Sequence, residues 1–425
     1  MGTQRAVVSL RASDLAATED RANERAWLPI VLFLSIGLAL VAIVWASNSH
    51  LPLDGPVPPA DPSTEPVIGG WLQYDSGWYL DIAEHGYTPA NVAAFKAGQQ
   101  SSVAFFPGYP LVVRGVARVS GNNFNVAADL TTAAAGLVAA LLFWLWCRDR
   151  LGSRARRTAL VLLLVYPYAW YLYGTGYGDA FFLAAALGAF VLVDRDHPVL
   201  AGLVGVIASL TRATGVPLVA GLLAVQLERR GVLTRGAADS DAVGRWQQER
   251  SRWRVDLARL QARDFAVLLA AVGIVAYSLY LWRHVGDLFA YSTVQAAPGW
   301  DQPMGPHTWF KIAFFGQVFR GQVTYWVRLI PHALLALVFL VSAPLVARRF
   351  GWGYGFYTLA VVALPLAGSA TFIGTGRYLL AGFPVFALGG AALADRVRLQ
   401  QVVVGASALL LAVLSSFFAR GYYLS

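Results

Sequence analysis

The chain has 425 residues, 57% of them hydrophobic and 13% charged, with a mean hydropathy of +0.53, which excludes a soluble globular protein and points to a polytopic membrane protein. The net charge of +9 invites a nucleic-acid partner, but in a membrane chain the placement of charge matters more than its sum, so membrane lipid is the expected partner and nucleic acid is not. A lone Cys147 excludes an intramolecular disulfide and a cysteine-cluster metal site, and the six scattered histidines show no ligand spacing, so neither metal nor cofactor is expected.

Residues 1–26 are polar, carry mixed charge and lack the apolar core of a signal peptide, which reads as a cytoplasmic tail. Residues 27–47 have the length of a first membrane span, and residues 48–66, rich in proline, read as irregular loop. The stretch from Trp71 to Tyr87 follows. At about 100° per residue, Trp71, Tyr74, Trp78 and Ile82 form one apolar stripe that Tyr79 widens. Asp75 falls inside that stripe, whereas Asp81 and Glu84 face the other way. An ionised carboxylate among aromatics is costly without a partner, so two readings stand: a catalytic base, or an N-cap for a helix beginning at Ser76. Gly86 followed by Pro89 is a helix stop.

After Phe105-Phe106-Pro107-Gly108-Tyr109-Pro110, residues 111–119 carry Arg114 and Arg118 four apart, the pattern of an amphipathic surface helix. Ten more apolar segments follow, at 123–147, 158–174, 179–194, 198–211, 214–227, 264–284, 331–347, 353–373, 377–394 and 400–418, predicting about eleven spans in one domain over 27–425. Of the 33 Lys and Arg, 23 fall in segments that are cytoplasmic if the N-terminus is inside. The positive-inside rule then places loops 48–122 and 285–330 outside the cytoplasm, and the Arg-rich insert 228–263 inside as an interfacial helix bearing Val243, Trp246, Trp253, Leu257 and Leu260. The membrane expected is the plasma membrane.

Three turns share the extracytoplasmic face with Asp75: Tyr177-Gly178-Asp179, Thr211-Arg212-Ala213-Thr214-Gly215 and Gly374-Thr375-Gly376-Arg377-Tyr378. Ionisable groups at such depth suggest a ligand, although an Asp179–Arg212 salt bridge would be a structural alternative. A buried carboxylate with several arginines suits a substrate that carries a phosphate and loses it.

The run Tyr74-Asp75-Ser76-Gly77-Trp78-Tyr79-Leu80-Asp81-Ile82-Ala83-Glu84-His85-Gly86-Tyr87, followed by Phe105-Phe106-Pro107-Gly108-Tyr109-Pro110-Leu111, resembles the first lumenal loop of the PIG-V family, the GPI mannosyltransferase 2 type. Weaker echoes are Tyr177-Gly178-Asp179-Ala180-Phe181-Phe182, Leu210-Thr211-Arg212-Ala213-Thr214-Gly215, and Arg377-Tyr378 with Phe383-Pro384. The resemblance implies a GT-C-like helical bundle whose extracytoplasmic first loop carries amphipathic helices. It also implies a glycosyltransferase that moves a sugar, typically mannose, from a polyprenyl-phosphate donor to a glycolipid or glycan acceptor, with the loop aspartate as base. Two departures touch donor or acceptor identity: Tyr74-Asp75 replaces the family's Trp-Asp, and Asp179 replaces a Glu-containing turn.

The chemistry asks for the same parts. A sugar on a lipid phosphate needs a cation near the departing phosphate and one carboxylate to take the acceptor's proton, and direct displacement inverts the anomeric centre. Asp75 is the candidate base. Arg212, Arg377, Arg114, Asp179, Trp78, Tyr79, His85 and Tyr378 are the candidate substrate-binding residues. A transporter or flippase of a lipid-linked sugar, or a non-catalytic envelope subunit, would use the same cavity without turnover; no internal repeat of the transporter kind is visible.

Overall fold

The computed structural model describes residues 27–52, 65–235, 253–321 and 323–424. The predicted tail 1–26 and most of the proline-rich loop lie outside them. The described chain is almost entirely helical. Five helices are long and apolar enough to cross a membrane: Leu28–Ser47, Phe124–Arg148, Ala262–Val285, Trp326–Phe350 and Val397–Ala419. A sixth crossing is available if the pair Thr375–Ala381 and Pro384–Leu393, bent by 82°, counts as one span. The bend falls at Gly382-Phe383-Pro384, where proline lacks the amide hydrogen that would continue the preceding hydrogen bonds. This is a multi-pass α-helical membrane protein.

The eleven expected spans are therefore not eleven long helices. Segments 158–174, 179–194, 198–211, 214–227 and 353–373 fold as helices Ser153–Leu164, Asp179–Asp194, Pro198–Ser209, Gly215–Arg229 and Trp352–Gly368, of 12 to 17 residues. At 1.5 Å per residue they run roughly 18 to 26 Å, short of a ~30 Å hydrocarbon layer. The cause is local in one case: Pro167 and the aromatic run after it stop the first of these at Leu164, and a 3₁₀ turn, Ala169–Leu172, follows. Many of these helices are buried against protein, where broken elements at membrane depth are tolerated.

Their packing sets the core. Phe190 meets Tyr357 edge-on at 4.7 Å and Phe383 at 5.6 Å, and Trp146 meets Phe383 at 5.0 Å, linking three helices and the bend through rings that each bury about 150–250 Å². Gly215–Arg229 lies close on Trp352–Gly368 because Gly353 has no side chain: a Cβ there would stand 2.7 Å from the Val225 backbone.

In the described part of the Arg-rich insert, Leu233–Arg235 pairs antiparallel with Trp253–Val255, and Leu257–Arg259 is a 3₁₀ turn. Trp253, Leu257 and Leu260 therefore lie on a hairpin arm and a turn rather than on the face of a helix, because ladder pairing across the insert takes the backbone bonds a helix would need. Val243 and Trp246 lie outside the described residues.

Candidate active site between the first loop and three turns

The aromatic-acidic stretch is two helices, Pro66–Trp71 and Ser76–His85, with a break between them. Tyr74 makes the break with φ +52°, a left-handed conformation that costs a bulky residue roughly 1–3 kcal/mol and persists only where surroundings enforce it. The Tyr74 hydroxyl donates to the Gly421 carbonyl, and its ring packs edge-on against Tyr423 at 4.8 Å. The single stripe expected from Trp71 to Ile82 is thus interrupted, and the interruption aims Asp75.

Asp75 sits in αR conformation at the head of the second helix and its side chain caps nothing. Its Oδ2 accepts from Arg377 Nη2 at 2.9 Å, across 302 residues of chain. The Asp75 backbone N–H donates to the Tyr177 hydroxyl at 3.0 Å, and that hydroxyl donates to the Gln73 carbonyl at 2.9 Å. The geometry therefore removes the capping reading. The pair is enclosed but reachable: the side chains are 20% exposed for Asp75 and 13% for Arg377.

The second pair, Arg212 with Asp179, is closed, at 8% and 3% exposure. This is the salt bridge set out above as a structural alternative, and it stands beside the first pair. The Tyr378 ring lies under both guanidiniums, 4.5 Å from Arg212 and 5.4 Å from Arg377. Asp179, Arg212, Thr214, Arg377 and Tyr378 line one narrow pocket of about 10 Å³. Three of its buried polar atoms, Asp179 Oδ2, Thr214 Oγ1 and Arg377 Nε, have no hydrogen-bond partner among the described residues. Buried polar groups are nearly always satisfied, so three orphans lining one pocket mark a place built to meet a ligand or water.

The Phe105-to-Pro110 motif brings the turns together. The Gly108 N–H donates to the Leu210 carbonyl at 2.8 Å, and a Cβ at Gly108 would stand 2.8 Å from that carbonyl, so glycine is what lets the first loop rest on the Arg212 turn. Tyr109 anchors the motif through Ala128 O at 3.0 Å and Thr132 Oγ1 at 2.8 Å.

Trp78 and Tyr79 supply an aromatic wall. Trp78 stacks on Phe105 at 6.0 Å and meets Trp300 edge-on at 6.0 Å, and Tyr79 packs edge-on against Phe105 and Tyr109. Burial pushes the Tyr79 phenol up to about 12, while Arg212 and Arg377 pull it down and Asp75 raises it further. Tyr79 thus shares the electrostatic space of both pairs as a neutral phenol.

Two candidates are not part of this cluster. Arg114 donates from Nε to Ala83 O at 2.6 Å and from Nη2 to Ile82 O at 3.0 Å, closing the last turn of the Ser76–His85 helix. His85 lies roughly 15 Å along that helix from Asp75 and is 57% exposed. It pairs with Asp81 at 3.2 Å, and Asp81 also accepts from Asn91 at 3.2 Å. Four participants escaped the sequence reading: the Tyr177 hydroxyl, Trp300, His332 and Lys311. His332 Nδ1 accepts from the Gly376 N–H at 2.9 Å, bracing the turn that carries Arg377. The Lys311 ammonium donates to the carbonyls of Leu366 and Ser369, before that same turn, and burial pulls it down to about 8. A larger cavity of about 190 Å³ near Phe95, Gln99 and Thr293 is lined by no titratable side chain. Among the described residues, no three His, Cys, Asp or Glu side chains gather as a metal site.

No protein-family model matches this chain, and no curated protein does. Among solved structures, ArnT from Cupriavidus metallidurans bound to undecaprenyl phosphate is similar at 14% identity and a TM-score of 0.48, covering 94% of this chain and 77% of that one. The Archaeoglobus fulgidus oligosaccharyltransferase in complex with Zn and sulfate is similar at 15% identity and 0.43, over 91% of this chain and 53% of its own. The archaeal oligosaccharyltransferase AglB from the same organism, with an inhibitory peptide and a dolichol-phosphate, gives 12% and 0.44, over 93% and 55%.

Proposed function

We propose that this chain is a GT-C-type membrane glycosyltransferase that takes a sugar, mannose by preference, from a polyprenyl-phosphate donor and passes it with inversion to an extracytoplasmic glycolipid or glycan acceptor. The observation that carries the reading is the Asp75–Arg377 pair, a reachable carboxylate held by one arginine beside a pocket with unsatisfied polar atoms. Among the described residues only Oδ2 of Asp75 is engaged by another side chain, which leaves Oδ1 to accept the proton of an incoming hydroxyl. Arg377 holds that carboxylate in position through its Nη2. One carboxylate suffices because the donor's phosphate leaves readily and the proton moves late, once the hydroxyl oxygen has begun to bond to carbon.

Phosphate leaves towards positive charge. Arg377 and Arg212 both line the pocket, Arg377 Nε has no partner among the described residues, and the Tyr378 ring lies against both guanidiniums. Trp78, with Phe105 and Trp300, offers the apolar ring faces that sugar C–H groups prefer. The excess of Lys and Arg in the segments at the opposite end supports an extracytoplasmic site, in the plasma membrane.

Purified protein in nanodiscs, supplied with a polyprenyl-phosphate sugar and a hydroxyl acceptor, is expected to release polyprenyl phosphate and form the inverted glycoside. Lipid moved between leaflets without release of polyprenyl phosphate would decide for a flippase.

A further inference from the structure

Among the described residues, no carboxylate at the site offsets the charge of Arg328. Arg377 is balanced by Asp75 and Arg212 by Asp179, so those two pairs together are neutral. Among the described residues Arg328 has no carboxylate within ion-pair distance, and its buried Nε has no hydrogen-bond partner. One spacing and one contact place it beside the same site. It lies one helical turn before His332, whose Nδ1 holds the Gly376 N–H next to Arg377. Its guanidinium also lies over the Tyr423 ring at 5.4 Å, and Tyr423 packs on Tyr74, the residue before Asp75.

His332 adds no charge there: one ring nitrogen accepts from Gly376, and the other faces the Leu424 carbonyl at 2.9 Å. Depth adds a second constraint. Arg328 is the third residue of the apolar span Trp326–Phe350, which sets it at the boundary of the hydrocarbon layer, the level of lipid phosphates. A guanidinium lying over an aromatic ring keeps its N–H edge free for a planar, two-pronged contact with phosphate oxygens.

We propose that Arg328 binds the phosphate of a lipid-borne phosphate ligand at the mouth of the Asp75–Arg377 site. The inference rests on the transferase reading for the ligand's identity but not for its geometry. The departing phosphate of a polyprenyl-phosphate donor fits the position, and so does the headgroup of an anionic membrane lipid. Tyr423 is then a positioning residue that holds the guanidinium.

The test is binding of a short-chain polyprenyl monophosphate to the full chain in neutral-lipid nanodiscs. Arg328→Ala is expected to weaken binding by ~10- to 100-fold, as for loss of one charge-assisted contact. Arg328→Lys should recover part of it, because a point charge does not reproduce the fork. Tyr423→Ala should weaken it by a few-fold, with the melting temperature kept. Excess phosphatidylglycerol that fails to compete assigns the site to the polyprenyl ligand, and equal competition assigns it to the general headgroup phosphate. Wild-type affinity for both lipids in folded Arg328→Ala and Arg328→Lys proteins would overturn the proposal. A wild-type protein that binds the phosphate through Arg328 yet transfers no sugar would sink the transferase reading and leave this one standing.

Discussion

The helix Asp179–Asp194 begins and ends in an aspartate paired with arginine, roughly 22 Å apart, and the two ends are built to different standards. At Asp194, among the described residues, no buried side-chain polar atom of Asp194, Arg150, Tyr354 or Trp146 lacks a partner. Its Oδ2 accepts from Arg150 at 2.6 Å and from Tyr354 at 2.8 Å, Arg150 also donates to Trp146 O, and the Trp146 indole donates to the Tyr354 hydroxyl at 2.9 Å. At Asp179 the pairing chemistry is the same and so is the aromatic stacking, yet Asp179 Oδ2, Thr214 Oγ1 and Arg377 Nε are left over. A saturated network fixes the fold. A network with spare donors and acceptors around a pocket holds capacity for a ligand.

Substitutions separate the two ends, and the largest effect belongs to the saturated one. Asp194→Ala strands Arg150 and should cost ~3 kcal/mol of stability, the low end for breaking a buried pair because this one is partly exposed. Thermal unfolding should show that loss, while the folded fraction keeps its turnover and its KM for donor. A turnover defect in folded Asp194→Ala protein would erase the distinction.

Next come the arginines of the open end. Arg377→Ala or Arg212→Ala should weaken donor use by ~10- to 100-fold, the loss of one charge-assisted contact of about 1.5–3 kcal/mol, and Arg377→Lys should restore part of it. Unchanged kcat and KM in both alanine variants would make these pairs structural like Asp194. The smallest effect is expected at Arg114, whose bonds go to helix carbonyls. Arg114→Ala should lower stability by ~1 kcal/mol with donor KM unchanged, which steady-state kinetics beside a melting curve will check.

Much of this site was legible as chemistry before it was legible as geometry. Four segments far apart in the chain, around Asp75, Asp179, Arg212 and Arg377, could be placed on one face because charge asymmetry orients membrane helices, and the folded chain brings them into contact. Periodicity could not reveal the left-handed Tyr74, because a helical wheel assumes the helix continues, and the force that breaks it comes from Gly421 and Tyr423, some 350 residues away. Hydropathy does not separate long spans from the short inner helices, because the inner ones are as apolar as the outer ones and differ in length and packing. Arg114 looked like a ligand contact because a side chain that closes a helix has the same sequence signature as one that binds phosphate. His332 carried no signal: a lone histidine in an apolar run looks identical whether or not it braces a turn.

The central claim is that Asp75 takes the acceptor's proton, and Asp75→Asn tests it most directly. Asparagine keeps the size and an oxygen for Arg377 but cannot act as a base. Turnover of polyprenyl-phosphate sugar should fall at least ~100-fold, the low end for loss of a general base, with polyprenyl-phosphate binding and melting temperature close to wild type. An Asp75→Asn protein that transfers sugar at nearly the wild-type rate would contradict the account.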